Sequence, residues 1–141
     1  MHPTLKVKNM VSIPAEIIEL MNAKETTKLL VTASAGGQPH AIVCGSIFAT
    51  PDGKAGVGEI LMKRASQNLK DTGKAALTVC AGPKAYELIL KNPARADSGP
   101  IFDDMKAKMA ALNLPCFAVW TFDVAEIWDE SAGPSAGTKI C

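Results

Sequence analysis

Aromatic residues are scarce in this chain: two Trp, one Tyr and four Phe among 141 residues. Proteins that hold single-stranded nucleic acid stack its bases on such rings, so few platforms exist here for that task. A charge excess is also missing. Fifteen Lys and Arg stand against fourteen Asp and Glu, a formal net charge of +1. That balance argues against a dedicated binder of nucleic acid or of an anionic membrane. Histidine occurs only as His2 and His40, with no H-x-x-x-H pattern and no Cys/His cluster, so no metal site is expected. No apolar run approaches the roughly 20 residues that span a bilayer, and residues 1–8 carry charge with no apolar stretch behind them, so no signal peptide is expected. The phosphate loop G-x-x-x-x-G-K-[ST], the dinucleotide pattern G-x-G-x-x-G and the nucleophile elbow G-x-S-x-G are all absent. The cysteines Cys44, Cys80, Cys116 and Cys141 form no C-x-x-C pair, and three lie in apolar surroundings. They read as free thiols of a reducing compartment, hence a cytoplasmic expectation. Cys44, Cys80 and Cys116 are evenly spaced, but their neighbours do not repeat, which excludes a solenoid reading.

What is present suits a folded domain: 48% hydrophobic and 21% charged residues, in a length that favours a single domain over residues 1–141. A helix is expected over 14–24, with Ser12 placed to cap it, Pro14 in its first turn, and Ile17, Leu20 and Met21 on one face. A strand over 29–33 meets Gly36-Gly37, a hairpin signal. A long strand over 39–50 ends at the turn Pro51-Asp52-Gly53. A short strand over 55–60 follows, rich in glycine, as where another group approaches the backbone closely. A helix over 63–71 ends at Gly73. Strands are expected over 75–81, 86–91 and 117–128. A helix over 100–112 should bury the stripe Ile101, Met105, Met109 and Leu112, with Asp103 and Asp104 early and Lys106 and Lys108 late. Trp120 and Trp128, eight residues apart, should share one strand face. The tail 131–141 is small and glycine-rich and should pack loosely. Six strands joined mostly by hairpins imply antiparallel pairing, and closure into a small barrel removes their edges. The fold class is therefore α+β, a barrel with helices outside it.

Two segments carry candidate chemistry. In Gly58-Glu59-Ile60-Leu61-Met62-Lys63-Arg64-Ala65-Ser66-Gln67-Asn68-Leu69 a glycine-rich strand passes into a helix. Two cations, a hydroxyl and an amide gather where free helix N–H groups and partial positive charge suit a phosphate. Arg64 can bind it bidentately, Lys63 as a point charge, with Ser66 or Asn68 adding hydrogen bonds. A solvated basic turn before a surface helix explains the same residues, and spacing leaves both open. In Pro39-His40-Ala41-Ile42-Val43-Cys44-Gly45-Ser46 the small residues after Val43 interrupt a bulky strand. They offer either a flat wall for a planar ring or room for a packed helix.

Together these segments resemble the flavin-binding split-barrel family related to pyridoxamine 5'-phosphate oxidase, and most closely its short flavin mononucleotide-binding members. Leu30-Val31-Thr32-Ala33 and Gly37-Gln38-Pro39-His40 resemble the opening hairpin. Gly58 to Leu69 and Lys74-Ala75-Ala76-Leu77-Thr78-Val79 resemble the phosphate strand, its helix and the next strand. Ser98-Gly99-Pro100-Ile101-Phe102 resembles the start of the late helix. The likeness covers about residues 12–130. It implies a six-stranded antiparallel Greek-key split barrel and a homodimer with FMN at the subunit boundary. The phosphate would lie against Lys63 and Arg64, with backbone help from Leu61 and Met62, and Asn68 stands where the family keeps a polar helix residue. The ring would lie along Val43, Cys44, Gly45 and Ser46, near Glu59 and Ile60. Trp120 is the residue available as an aromatic wall from the second subunit. Ala65 departs from the pattern, in which a hydroxyl-bearing residue is usual, so that contact would move to Ser66. The substrate-binding segment expected of true pyridoxamine phosphate oxidases is missing at the C-terminal end, so that reaction is not assigned.

The functional expectation is an FMN-binding protein in electron transfer, or a small flavin-dependent oxidoreductase with a small-molecule or protein redox partner. A flavin supplies its own redox chemistry, while the protein binds and orients it. A non-catalytic flavin- or haem-binding storage or sensor module is the rival, the haem needing His40 or a cysteine as axial ligand. A related deazaflavin stays open as the cofactor, and a cofactor-free interaction barrel is a third reading.

Overall fold

The computed structural model describes residues 10–141; the segment read above for a signal peptide lies outside them. The chain runs α1 (Ala15–Asn22), β1 (Thr27–Ala33), β2 (Pro39–Val43), β3 (Ile47–Ala49), β4 (Ala55–Glu59), α2 (Lys63–Asp71), β5 (Ala75–Ala81), β6 (Lys84–Ala96), α3 (Pro100–Ala110), β7 (Ala118–Asp129) and β8 (Thr138–Lys139). Seven strands form one curled antiparallel sheet in the order β2-β1-β5-β6-β7-β4-β3, and β8 adds to β7. The α+β split half-barrel is as expected, with eight strands in place of six.

The count differs first because the segment 39–50 is not one strand. β2 pairs with β1 and β3 with β4, at opposite ends of the sheet. Only Cys44-Gly45-Ser46 separates them, so the sheet must curl until its two ends meet. The kink is pinned on both sides: Cys44 N donates to Lys28 O at 2.9 Å, and Gly58 N donates to Ser46 O at 3.3 Å. Small residues are needed there because the backbone changes sheet ends within three residues. The second reason is the tail. It is solvent-exposed, but it does not hang loose: β8 pairs with Trp128 and Asp129, and Ile127 exchanges backbone bonds with Ile140 and Cys141 at 2.8 and 2.9 Å.

Alternation along the strands fills the interior. Leu30, Leu77, Val79, Leu88, Phe122 and Val124 point inward and are almost fully buried, each contributing about 1.5–3 kcal/mol. Ile17 and Met21 of α1 complete this core. Ser12 does not cap α1. Pro14, extended at φ −58° and ψ 148°, is itself the N-cap, and its carbonyl accepts from Ile17 N and Ile18 N. At the other end Lys28, on the inward face of β1, does the capping: its Nζ donates to Met21 O, Ala23 O and Ile47 O at 2.9, 3.0 and 3.3 Å. Burial lowers the pKa of this ammonium, against the opposing pull of Cys44 and Glu25.

Two bulges reset the face pattern. β6 runs on past Lys91 because Asn92 and Pro93 bulge out of register with β7. Asn92 takes φ 54°, and a bulge tolerates proline's missing N–H. In β7 the register skips Ala125. Val124 and then Ile127 are buried, so the phase flips, and Trp128 faces away from Trp120. Even spacing predicts a shared face only in an unbroken strand.

The glycines of β4 serve packing. A Cβ at Gly56 would lie 2.5 Å from the Phe48 ring, and one at Gly58 would lie 2.9 Å from Met105 Cγ. The close approach expected at these positions is made by side chains of the same chain.

Candidate functional site

A cavity of about 280 Å³ opens where the kink, the β4–α2 turn and the end of α3 converge. Its wall is Ile42, Val43, Cys44, Gly45 and Ser46, its floor Gly58, Ile60, Leu61 and Met62, and its roof Met109, Leu112 and Leu114. Among the described residues, no charged side chain lines it. The polar side chains present are already committed. Ser46 Oγ donates to Gly58 O at 3.0 Å and lies 3.2 Å from Cys44 Sγ, so the thiol proton points at the serine oxygen. The lining therefore offers a planar ligand apolar contact and backbone groups.

Of the twelve residues expected at a cofactor, seven line this cavity: Val43, Cys44, Gly45, Ser46, Ile60, Leu61 and Met62. The other five lie elsewhere. Lys63 and Arg64 are solvent-exposed in the first turn of α2, directly after the lining residue Met62, which is that helix's N-cap. No side chain caps α2, so its first N–H groups lack a protein side-chain partner. Asn68 is buried instead of facing a ligand: its Nδ2 donates to Thr32 Oγ1 at 3.0 Å, tying α2 to β1. Ser66 is also buried, and among the described residues its Oγ has no partner within hydrogen-bond distance.

Glu59 is the clearest departure. Strand alternation turns it away from the cavity that Gly58 and Ile60 line. Arg95 holds it bidentately, Nε to Oε1 at 3.1 Å and Nη2 to Oε2 at 3.0 Å, and Trp120 Nε1 donates to Oε1 at 2.9 Å. The Arg95 hydrogen bonds are the main cause that brings its pKa from 4.5 down to about 2; burial opposes them, and Trp120 assists. The Arg95 guanidinium is raised in turn by Glu59. This clamp also corrects the reading of Trp120. It is 4% exposed, bound to its own chain's Glu59, and its ring is not presented to a second subunit.

Sequence reading missed Ile42, Gly58, Met109, Leu112 and Leu114 as lining residues and Arg95 as the partner of Glu59. The α3 stripe was the available signal. Only Met105 of it is buried, Leu112 is 64% exposed, and the stripe's C-terminal end turns out to roof a cavity. Among the described residues no cluster of three or more His, Cys, Asp or Glu could hold a metal ion. No helix there is long and apolar enough to cross a membrane.

No protein-family model matches the sequence, and no curated protein matches it significantly. Solved structures do. HupZ of Group A Streptococcus superposes with a TM-score of 0.72 at 22% identity, over 89% of this chain and 99% of its own. An FMN-binding protein of Syntrophomonas wolfei gives 0.72 at 18% identity, over 91% and 92%. A candidate pyridoxamine 5'-phosphate oxidase of Lactobacillus delbrueckii gives 0.67 at 20% identity, over 83% and 93%. The chain has the pyridoxamine 5'-phosphate oxidase-like split-barrel fold. An F420 reductase and HutZ, the haem storage protein of Vibrio cholerae, share this split-barrel fold at TM-scores of 0.59 and 0.62. Identities this low speak for the fold alone, and the names of these neighbours range over FMN, F420 and haem.

Proposed function

We propose that the protein binds FMN and acts in electron transfer or as a small flavin-dependent oxidoreductase. The observation that carries this reading is the continuity of two unlike surfaces. An uncharged cavity shaped by Cys44-Gly45-Ser46 runs through Met62 into the start of α2, where uncapped N–H groups meet Lys63 and Arg64. An apolar ring slot ending at a cationic helix start suits a flavin whose tail ends in phosphate. In this reading the wall residues 43–46 hold the ring, the turn 60–62 its edge, and Lys63 and Arg64 the phosphate. Asn68 and Glu59 support the turn from behind without touching the ligand. FMN would supply the acceptance and release of electrons or hydride. Among the described residues the cavity lining offers no titratable side chain but the Cys44 thiol, engaged with Ser46, which favours an electron carrier or a simple reductase over chemistry that needs a proton donor.

We also infer a homodimer. Val43 and Leu61 are 74% and 79% exposed on the cavity's rim, and large apolar side chains so placed fit burial against a second copy. The haem alternative has less support: Cys44 lines the cavity, but its thiol is engaged with Ser46, and His40 is not among the lining residues.

Titration with FMN, F420 and haem, followed by absorbance and fluorescence, tests the reading. FMN uptake with quenched fluorescence supports it. Uptake of haem or F420 in preference to FMN would replace it.

A further inference from the structure

We propose that α3 and the turn after it form a hinged cover over the cavity, seated by Met105 in the notch at Gly58.

The cover is lightly held. Of eleven residues in α3 only Met105 is buried, whereas the nine-residue α2 buries Ala65, Ser66, Asn68 and Leu69 and is hydrogen-bonded to β1. Among the described residues, no hydrogen bond or ion pair joins segment 100–115 to the rest of the molecule beyond Gly99. Its bonds stay local: Asp103 N to Gly99 O, Asn113 N to Ala110 O, and Leu112 N and Leu114 N both to Met109 O. The segment hangs between two firm points. Ala96 pairs with Val119 on one side, and Phe117 N donates to Glu59 O at 3.0 Å on the other. Just inside these anchors lie two residues in left-handed backbone, Gly99 at φ 102° and Asn113 at φ 59°, and nothing lies within 4 Å of a Cβ built on Gly99. Met105 shares with Ile60 the space where Gly58 has no side chain: any Cβ there would meet Ile60 Cδ1 at 2.7 Å, Met105 Cγ at 2.9 Å and its Sδ at 3.1 Å. What this seat positions is the roof, Met109, Leu112 and Leu114, which lines the same cavity as Cys44.

A helix with one fully buried side chain, Ile101, Phe102 and Met109 being half-buried, and with positive-φ residues at both ends belongs to the low-stability end of a structure, where binding-site covers are found. Unseating Met105 should lift the roof without disturbing the sheet. The role of the cover in admitting a flavin rests on the function proposed above; its existence does not.

Cys44 is a native reporter, 8% exposed behind the roof. In the full chain, its alkylation by a small maleimide is followed peptide by peptide with mass spectrometry. Met105→Ala should raise the Cys44 rate about tenfold while amide exchange in β5 to β7 stays slow. The pair Leu112→Ser with Leu114→Ser, at exposed positions that leave the seat and the core intact, should do the same if Met105→Ala compromises folding. In the wild type, amides of 100–115 should exchange faster than those of β7. Cys44 rates unchanged in the Ser pair, or α3 amides as protected as those of β7, overturn the cover. FMN association and dissociation should both quicken in the same variants. A wild type that takes up no FMN at all counts against the proposed function, while the Cys44 rates still decide the cover.

Discussion

Replacing Arg95 with alanine leaves the Glu59 carboxylate, its side chain only 14% exposed, with Trp120 as its one remaining donor at bonding distance. Lowering a carboxylate from 4.5 to about 2 corresponds to about 3 kcal/mol at neutral pH, at ~1.4 kcal/mol per pH unit. Arg95 itself is 33% exposed, and solvent screening brings the worth of the pair to about 1–2 kcal/mol. The sign follows from the depressed pKa. The stabilisation is present above pH 4.5 and is lost as pH falls toward 2, because the folded state resists the proton that the unfolded chain accepts. Urea unfolding at pH 7, 4.5 and 3 reads this directly. Arg95→Ala should lose about 2 kcal/mol at pH 7, since it strands a buried charge, and much less at pH 3. Glu59→Gln keeps an acceptor for Trp120 and removes the charge, so its stability should fall less steeply than the wild type's between pH 4.5 and 3. Equal losses for Arg95→Ala at pH 7 and pH 3 would refute the assignment of the clamp as an ion pair.

Further outcomes follow from other contacts. Asn68→Ala removes the buried bond to Thr32 and should cost about 1–2 kcal/mol in thermal or urea unfolding. Arg64→Glu, at an exposed position, should leave stability within about 0.5 kcal/mol yet weaken FMN binding at least tenfold, through loss of a charge-assisted contact and added repulsion; unchanged affinity would remove the phosphate site from α2. Gly56→Ala forces the Phe48 ring to move and should destabilise by about 1–3 kcal/mol, seen as a lower melting temperature.

Local signals were legible in the sequence. The Gly36-Gly37 hairpin, the Pro51-Asp52-Gly53 turn and the Gly73 stop each depend on backbone conformations that few residues adopt, and the elements they bound lie within a few residues of their expected places, except that the strand expected over 39–50 is two. The cavity wall was legible because three small residues in a bulky strand are unusual. What could not be read was set at a distance. The Glu59–Arg95 pair joins two strands far apart in the chain, so Glu59 resembled any other polar residue next to a cationic run. The bulge at Ala125 leaves no mark of its own, and through it Trp128 changes faces. In α3 the helical period was right, but periodicity cannot tell a stripe that enters a core from one that roofs a cavity.

The central claim is that the cavity and the start of α2 together hold FMN. The most direct test is a fluorescence titration of the purified chain into FMN at neutral pH and moderate salt. The account predicts saturable quenching at one FMN per chain, with the quenching weakened in Arg64→Glu. FMN fluorescence that stays at its free value with the chain in excess would contradict it.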